Sequence, residues 1–462
     1  MAPRTAHDHL KVFLNSRLVG LLRRQTSGAI SFQYDRSWLE WESALPVSLS
    51  LPLREQAYLG APVLAVFENL LPDNDTLRRQ IAARAQAEGT DAYSLLGAIG
   101  HDCVGALQFL PQDSEPTPKG VIDAVPVSER QITAILDNLA TAPLGITEDE
   151  SFRISIAGAQ EKTALLRWNG RWCKPRGTTA TTHIFKPSTG KLPNGVDLTS
   201  SVENEYLCLK ILDALALPAA RAEIETFGDR RVLIVERFDR LWTRDQRLLR
   251  LPQEDACQAL SVPPTLKYES DGGPGITDIL KMLRGSDEPL SDQRAFLKAN
   301  IAFWLMGATD GHAKNFSIFL SPGGRFRMTP LYDVISAQPS VDSKQILWKQ
   351  FRLAMAFGTK PHYQIRQIAP RHFFQTADQA GVGREVIESI VDELLEGGAA
   401  AVDSVVSKLP KSFPDQIASS IKAGIKGRLR LLGDRGTGSQ KPGIENKKWR
   451  RENGASFDGG LF

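Results

Sequence analysis

Alternating apolar and polar residues predict that the first hundred residues form a β-rich unit with at least one helix. The runs 10–14 and 17–22 are strand-like and are separated by an Asn-Ser pair, which is typical of a hairpin. A third alternating run, 30–34, predicts another strand. Residues 69–75 (Asn-Leu-Leu-Pro-Asp-Asn-Asp) supply amide and carboxylate side chains that can cap a helix over 75–87.

The middle of the chain alternates strand-like runs with one strong helix. Residues 154–156 (Ile-Ser-Ile) lie on one side of a turn of small residues, and the strand-like run 163–168 lies on the other. A further short strand is predicted at 182–187, where a proline ends it. Residues 202–215 have the apolar spacing of an amphipathic helix, and 231–238 predict a buried strand that ends in charge.

After about residue 250 the pattern becomes helical, with few strand-like runs. Helical spacing covers 292–308, 375–398 and 415–432. The final stretch, 433–462, is rich in Gly, Lys, Arg and Asn and has little to bury, so we expect a disordered tail.

This order of elements predicts an α+β fold of two lobes, with a mixed α/β N-terminal lobe, a mainly helical C-terminal lobe and a ligand in the cleft between them. The polar stretch 111–119 contains three prolines and is expected to be a linker. We expect a β-rich N-terminal unit at 1–115, and the remainder of the N-lobe at 120–250. A helical C-lobe is expected at 251–432, and the tail at 433–462.

Composition and charge narrow the class of protein. The 462 residues are 42% hydrophobic and 24% charged, with a net charge of +3, so the whole-chain balance does not favour nucleic-acid binding. No apolar run approaches the ~20 residues that cross a bilayer, and the first residues lack a signal-peptide core, so we expect a cytoplasmic protein and no membrane contact. The four cysteines are far apart in sequence and are expected to be reduced core residues: Cys103, Cys173, Cys208 and Cys257.

A compact polar loop at 310–315 (Asp-Gly-His-Ala-Lys-Asn) lies between a helical run and a strand-like run. Phosphoryl transfer needs a carboxylate that orients and deprotonates the attacking hydroxyl, and it needs oxygen ligands for magnesium. Asp310 and Asn315 supply both at the spacing of a kinase catalytic loop. A surface turn in which these two side chains only stabilise the backbone is the alternative.

Three further features are consistent with a nucleotide site. Asp333 follows a short apolar run and, with Asn315, provides oxygen ligands for magnesium, although a cap or turn role is the alternative. The small residues at 157–159 allow backbone amides to approach an anion, although an ordinary hairpin turn is also compatible. Lys186 lies in an apolar strand and must reach either water or an anion such as an ATP phosphate.

The helix after Lys186 begins with two acidic residues. Glu203 or Glu205 could pair with this lysine, or both could complement the helix dipole. The order of loop, lysine, acidic helix, Asp/Asn loop and final Asp matches the working parts of a kinase cleft.

These segments also carry a resemblance to a known family. The run 308–317 (Ala-Thr-Asp-Gly-His-Ala-Lys-Asn-Phe-Ser) is among the long and unusual motifs that resemble the HipA family, the serine/threonine kinase toxins of bacterial HipA–HipB type II toxin–antitoxin modules. The resemblance extends from about residue 10 to 432. The other segments with this likeness are 68–73, 94–107, 154–165, 235–240, 251–255 and 267–275.

The resemblance implies a fold distantly similar to protein and phosphoinositide kinases, with ATP and Mg²⁺ as cofactors. It implies Asp310 as the catalytic base, Asn315 and Asp333 as magnesium ligands, and Ser155 as an autophosphorylated residue whose modification silences the kinase. The expected ATP-binding residues lie in the phosphate loop, the lysine strand, the adenine region and the catalytic loop: Ala157, Gly158, Ala159, Gln160, Glu161, Lys162, Lys186, Glu236, Phe238, His312, Lys314 and Asn315.

The resemblance further implies a translation protein as substrate, with an aminoacyl-tRNA synthetase, glutamyl-tRNA synthetase, as the expected one. The implied partner is a HipB-like helix-turn-helix antitoxin that binds operator DNA and neutralises the toxin. The tail, with Lys-Lys-Trp-Arg-Arg at 447–451, departs from the family pattern. A catalytically silent kinase-like scaffold that acts as corepressor is the alternative function, and a small-molecule kinase is a third.

Overall fold

The computed structural model describes residues 9–25, 27–146, 152–158 and 160–433. The N-terminal alternation produces a five-stranded antiparallel sheet in the order β4-β3-β2-β1-β5. The predicted hairpin and the predicted third strand are confirmed. The strands are β1 (His9–Leu14), β2 (Arg17–Arg24), β3 (Ile30–Tyr34), β4 (Tyr58–Leu59) and β5 (Leu107–Pro111).

Four helices accompany this sheet: α1 (Arg36–Leu39), α2 (Ala61–Glu68), α3 (Asp75–Ala85) and α4 (Ala92–Ile99). The Asn74 side chain accepts a hydrogen bond of 3.0 Å from the Leu77 amide and caps α3, as its position before a helical run predicts. Phe67 of α2 packs edge-on against Phe32 and Phe109 of the sheet. This contact fixes α2, and with it the segment between α2 and α3 that reaches the cleft.

The middle of the chain forms a six-stranded antiparallel sheet in the order β12-β13-β9-β7-β8-β6. It is accompanied by the helices α5 (Glu129–Asp137) and α6 (Ser201–Ala214) and by two short two-stranded ribbons. The strands are β6 (Ala124–Pro126), β7 (Thr163–Trp168), β8 (Arg171–Pro175), β9 (His183–Pro187), β10 (Gly190–Lys191), β11 (Asp197–Leu198), β12 (Ala222–Phe227), β13 (Arg230–Glu236), β14 (Arg240–Trp242) and β15 (Leu248–Arg250).

The two faces of this sheet are covered by different helices. Phe185 of β9 packs in a cluster with Ile132 of α5. Leu233, the strand partner of Lys186, packs instead with Val202 of α6. Because side chains alternate along a strand, Lys186 faces the α6 side of the sheet, which is the side of the cleft.

Buried charges join the segment after α4 to the β14–β15 ribbon and to the residues that follow β13. Asp102, which follows α4, accepts hydrogen bonds of 2.8 Å from Arg240 and 2.9 Å from Arg250. Arg237 donates to Asp239 at 2.8 Å and to the Cys103 carbonyl at 2.8 Å. Because a buried charge left without its partner is costly, these pairs hold the segment after α4 against the β14–β15 ribbon and the end of β13.

The C-terminal part is mainly helical, as predicted, but it also contains two small antiparallel sheets. The helices are α7 (Ala256–Ala259), α8 (Ile276–Leu283), α9 (Pro289–Met306), α10 (Gln338–Asp342), α11 (Pro370–Ala380), α12 (Arg384–Ser407) and α13 (Asp415–Gly433). The strands are β16 (Gln253–Asp255), β17 (Ser317–Ser321), β18 (Arg325–Met328), β19 (Arg352–Phe357) and β20 (His362–Gln364).

The predicted helices at 202–215, 292–308 and 415–432 are confirmed as α6, α9 and α13, but the single helix expected at 375–398 is wrong. That region contains α11 and α12, and Gly381 between them adopts a left-handed φ of 66° that ends α11. Residues 154–156 do not form a strand.

The expected tail, apart from Gly433, lies outside the described residues. All four cysteines are buried and free of disulfides. No helix within the described ranges has the length and apolar content needed to span a bilayer.

Candidate active site between the lobes

Both lobes line a cavity of about 550 Å³. It brings together residues that lie as much as 271 positions apart in sequence, from Asn69 to Ser340. Glu161 is exposed and does not line the cavity, so the structure does not place it with the other predicted residues, and Ala159 lies outside the described residues. The predicted residues that line the cavity are Ala157, Gly158, Gln160, Lys162, Lys186, Glu236, Phe238, Asp310, His312, Lys314, Asn315 and Asp333.

The phosphate-loop candidate precedes strand β7 and folds back on itself. Gly158 has a φ of 102°, which a residue with a side chain adopts only with strain. Lys162 donates a hydrogen bond of 2.6 Å to the Ala157 carbonyl, and burial lowers the pKa of this lysine to about 8. Gln160 donates 3.2 Å hydrogen bonds to the Pro187 carbonyl and the Thr189 hydroxyl, which ties the loop to the end of β9.

Ser155 is fully buried and is absent from the residues lining the cavity. Its hydroxyl donates a hydrogen bond of 2.7 Å to the Leu70 carbonyl, and its amide donates one of 3.0 Å to the Asp102 carbonyl. The N-terminal unit therefore holds the beginning of this loop.

Lys186 has the anionic partners that its place in an apolar strand requires. Its ammonium lies 2.8 Å from Glu205 Oε1 and 2.6 Å from Asp333 Oδ1. Glu203 pairs instead with Arg231 at 2.5 Å, which decides between the two predicted glutamates. Burial opposes the charge on Asp333, but Lys186 and Lys162 outweigh it and hold the pKa of Asp333 well below its ordinary value. Burial raises the pKa of Glu205.

The catalytic-loop candidate holds Asp310 with its side chain in a defined position. Tyr268 donates a hydrogen bond of 2.7 Å to Asp310 Oδ1, and the Asn315 side-chain amide donates one of 2.8 Å to the Asp310 carbonyl. Burial raises the pKa of Asp310 to about 6, while the Tyr268 hydrogen bond opposes the shift. Burial, reinforced by Lys267, lowers the pKa of His312 to about 3, so this ring is neutral near pH 7.

The donors in the cavity fit a magnesium–nucleotide. The Asn315 amide nitrogen is engaged by the Asp310 carbonyl, which leaves Asn315 Oδ1 and the Asp333 carboxylate as hard oxygen ligands of the type that magnesium prefers. The Phe238 and Tyr332 rings, 5.7 Å apart between centroids, contribute an aromatic wall. Such a wall suits a purine ring, while Lys186 and the small-residue loop suit its phosphates.

Three residues of the site had no role assigned from the sequence. Asp73 Oδ1 lies 2.6 Å from the Lys314 ammonium, and Asp73 Oδ2 lies 2.9 Å from the Lys267 ammonium. Tyr268 bonds the candidate base directly. All three missed residues, Asp73, Lys267 and Tyr268, lie in segments that resemble the family, but no spacing rule connects positions so distant in sequence.

Comparison with known proteins agrees with the site. Residues 10–110 match the HipA N-terminal domain, and residues 154–402 match the HipA-like C-terminal domain. A Sinorhizobium fredii protein named "Putative kinase Y4mE" is 34% identical over 433 residues, which covers 92% of this chain and 98% of the relative.

Shewanella oneidensis provides both a relative and a solved structure. Its serine/threonine-protein kinase toxin HipA is 26% identical over 421 residues, covering 88% of this chain and 91% of that protein. The structure of a Shewanella oneidensis complex of HipA, HipB and operator DNA matches with a TM-score of 0.76 and 25% identity, over 92% of this chain and 97% of the matched chain. The expected two-lobed, kinase-like α+β fold is confirmed. The two matched domains and the nearly full-length relatives show that this chain belongs to the HipA family of kinase toxins.

Proposed function

We propose that this protein is an ATP- and magnesium-dependent serine/threonine kinase that acts as a toxin. The observation that supports this most strongly is the meeting of the Asp310–Asn315 loop with the Lys186–Asp333 ion pair in one cavity. A surface turn has no need of such partners. A strand lysine paired with a helix glutamate, as Lys186 is with Glu205, beside an aspartate that can bind magnesium is the arrangement that kinases use for phosphoryl transfer.

In this proposal the protein's own groups position the hydroxyl and move one proton. Asp310, with a pKa of about 6, is mostly ionised at neutral pH and accepts the proton of the attacking hydroxyl. That oxygen forms the new bond to phosphorus, the bond to the leaving ADP oxygen breaks, and ADP departs with the electron pair. Bound ATP with magnesium supplies the phosphoryl group and the divalent charge that offsets it. Lys186 balances phosphate charge, and Asn315 and Asp333 hold the metal.

The domain assignment follows from these roles. Residues 120–250 form the ATP-binding part of the N-lobe, with the phosphate loop at 157–162 and the adenine near Glu236 and Phe238. Residues 251–432 form the C-lobe with the catalytic and magnesium residues, and 1–115 form the N-terminal unit.

Ser155 is proposed as the site of an autophosphorylation that switches the kinase off. Its hydroxyl is buried against the Leu70 carbonyl, where there is no room for a phosphate group. A phosphate on Ser155 would break this bond and place a dianion beside a loop built for ATP phosphates. The phosphate loop would then leave its position and the nucleotide would be repelled.

The proposed partner is a HipB-like helix-turn-helix antitoxin that neutralises the kinase and contacts operator DNA. Support comes from the match to HipA in a complex with HipB and operator DNA. The proposed substrate is a translation protein, glutamyl-tRNA synthetase in the first instance, and this rests on family membership alone.

The test uses purified full-length protein, magnesium and γ-labelled ATP, with and without purified glutamyl-tRNA synthetase. Without the synthetase we expect label on Ser155, and with it we also expect label on the synthetase. A Ser155→Ala variant should lose only the label on its own residue 155. Absence of label from both proteins would contradict the proposed activity.

The alternative, a silent scaffold that acts as corepressor, makes a different prediction. A scaffold that only binds DNA with the antitoxin does not require the ion-paired Lys186 or the two magnesium ligands, Asn315 and Asp333. Its melting temperature would not rise when ATP is added. A ligand that binds only the folded state raises the melting temperature, so magnesium-dependent stabilisation by ATP favours the kinase and its absence favours the scaffold.

A further inference from the structure

One short segment of the N-terminal unit touches both loops of the candidate active site. This segment, residues 69–73 (Asn-Leu-Leu-Pro-Asp), joins α2 to α3. The Leu70 carbonyl accepts the Ser155 hydroxyl at 2.7 Å. The Asn69 carbonyl and the Asp73 carboxylate accept from the Lys314 ammonium at 3.3 Å and 2.6 Å.

The contact with the catalytic loop depends on charge. Lys314 lies between the candidate base and the candidate magnesium ligand in sequence, and its side chain is only 4% exposed. A buried ammonium without an anion is costly, and Asp73 is the carboxylate that binds it at 2.6 Å. The other Asp73 oxygen binds Lys267 at 2.9 Å, and the Lys267 carbonyl accepts from the Ala313 amide at 3.2 Å. Asp73 therefore reaches the loop 310–315 by two routes.

We propose that Asp73 is a positioning residue through which the N-terminal unit sets the geometry of the catalytic loop. It acts through Lys314 and Lys267 and not on the substrate. This inference rests on the proposed kinase function and adds to it: the kinase lobes are catalytically incomplete without the N-terminal unit. Misplacement of a reacting group by about 1 Å can cost on the order of 100-fold in rate.

The experiment compares Asp73→Asn with Asp75→Asn in full-length protein. The readout is the initial rate of autophosphorylation, measured over a range of magnesium-ATP concentrations. Asp75 is two residues away and exposed at the start of α3, so it is the matched control. For Asp73→Asn we expect kcat to fall by about 10- to 100-fold, with KM for ATP within about twofold of wild type. Asp75→Asn should match wild type in both kcat and KM.

A kcat for Asp73→Asn within about twofold of wild type would overturn the inference, as would a loss that appears only in KM. If wild type itself transfers no phosphate, the proposed function fails. An active wild type with an unaffected Asp73→Asn protein refutes the positioning role alone.

A double-mutant cycle covers the case in which Asp73→Asn fails to fold. Lys314→Met removes the buried ammonium, so adding Asp73→Asn to it leaves only Lys267, whose side chain is 15% exposed, without its Asp73 carboxylate. If Asp73 acts through Lys314, the kcat of the double variant should lie within about threefold of the kcat of Lys314→Met. Losses that multiply would show that Asp73 does not act through Lys314.

Discussion

Replacing Tyr268 with phenylalanine removes the hydroxyl that donates a 2.7 Å hydrogen bond to Asp310 Oδ1 and leaves the ring in place. The ring packs edge-on against His312, with centroids 4.9 Å apart, so the substitution keeps this contact. The hydroxyl favours the ionised carboxylate and opposes the burial that raises the Asp310 pKa to about 6. Without it, the pKa of Asp310 rises further.

The magnitude follows from the strength of the bond. A hydrogen bond to a charged group contributes roughly 1.5–3 kcal/mol, and one pKa unit corresponds to about 1.4 kcal/mol. Loss of the bond therefore raises the pKa of Asp310 by about 1–2 units, from about 6 to about 7–8. A general base works only when ionised, so turnover of Tyr268→Phe should fall as the pH drops through this higher range.

The assay is the initial rate of phosphate transfer at saturating magnesium-ATP, from about pH 5.5 to about pH 9. Wild type should lose activity below about pH 6, whereas Tyr268→Phe should lose it one to two units higher and regain nearly full kcat at alkaline pH. Tyr363→Phe is the control, because that tyrosine belongs to β20, lies under the Arg352 guanidinium and does not line the cavity.

An acidic limb that stays at the wild-type pH in Tyr268→Phe would refute the assignment of Asp310 as the titrating base. A limb that moves to lower pH would refute the sign of the hydrogen-bond effect.

Other substitutions test different parts of the site and fold. Lys186→Met leaves two carboxylates without their cation and should lower the free energy of unfolding by about 3 kcal/mol and abolish transfer; an active variant in a kinase assay would contradict this. Gly158→Ala forces a side chain into a φ of 102°, with its Cβ 2.7 Å from the Lys162 ammonium, and should raise KM for ATP about tenfold; an unchanged KM would count against the phosphate loop. Burial raises the pKa of Glu254 from 4.5 to about 8, so its contribution to stability is present below pH 4.5 and is lost as the pH rises towards 8. Relative to wild type, Glu254→Gln should therefore gain free energy of unfolding as the pH rises from 4.5 to 8, by at most about 1.4 kcal/mol per pH unit, and its melting temperature should rise with it. A difference independent of pH would show that the carboxyl does not titrate in this range.

The sequence pattern predicted many of the helices and strands, because their caps, turns and apolar spacing depend on residues close together in the chain. The cap at Asn74, the hairpin at the N-terminus and the apolar periodicity of α6 are all set by residues within a few positions of one another. The break between α11 and α12 was missed, because the apolar spacing continues across it while Gly381 adopts a left-handed conformation. A glycine in a helical pattern is compatible with both outcomes.

The site was only partly predictable for a related reason. An apolar strand shows that Lys186 needs an anion, but only the fold shows that Asp333, 147 positions away, supplies it together with Glu205. The choice of Glu205 over Glu203 depends on which face of α6 meets the sheet, since Arg231 on β13 binds the other glutamate. Asp73 lies 241 positions from Lys314, and no pattern along the chain reports a contact at that separation.

Phosphate incorporation by Asp310→Asn protein tests the central claim most directly. The amide is nearly the size of the carboxylate but cannot accept the proton, so the variant should melt within about 5 °C of wild type and still be stabilised by magnesium-ATP. The kinase assignment predicts that labelled phosphate on Ser155 and on the protein substrate falls at least about 100-fold in this variant. Incorporation equal to that of wild type would contradict it, and Asp310 would not be the catalytic base.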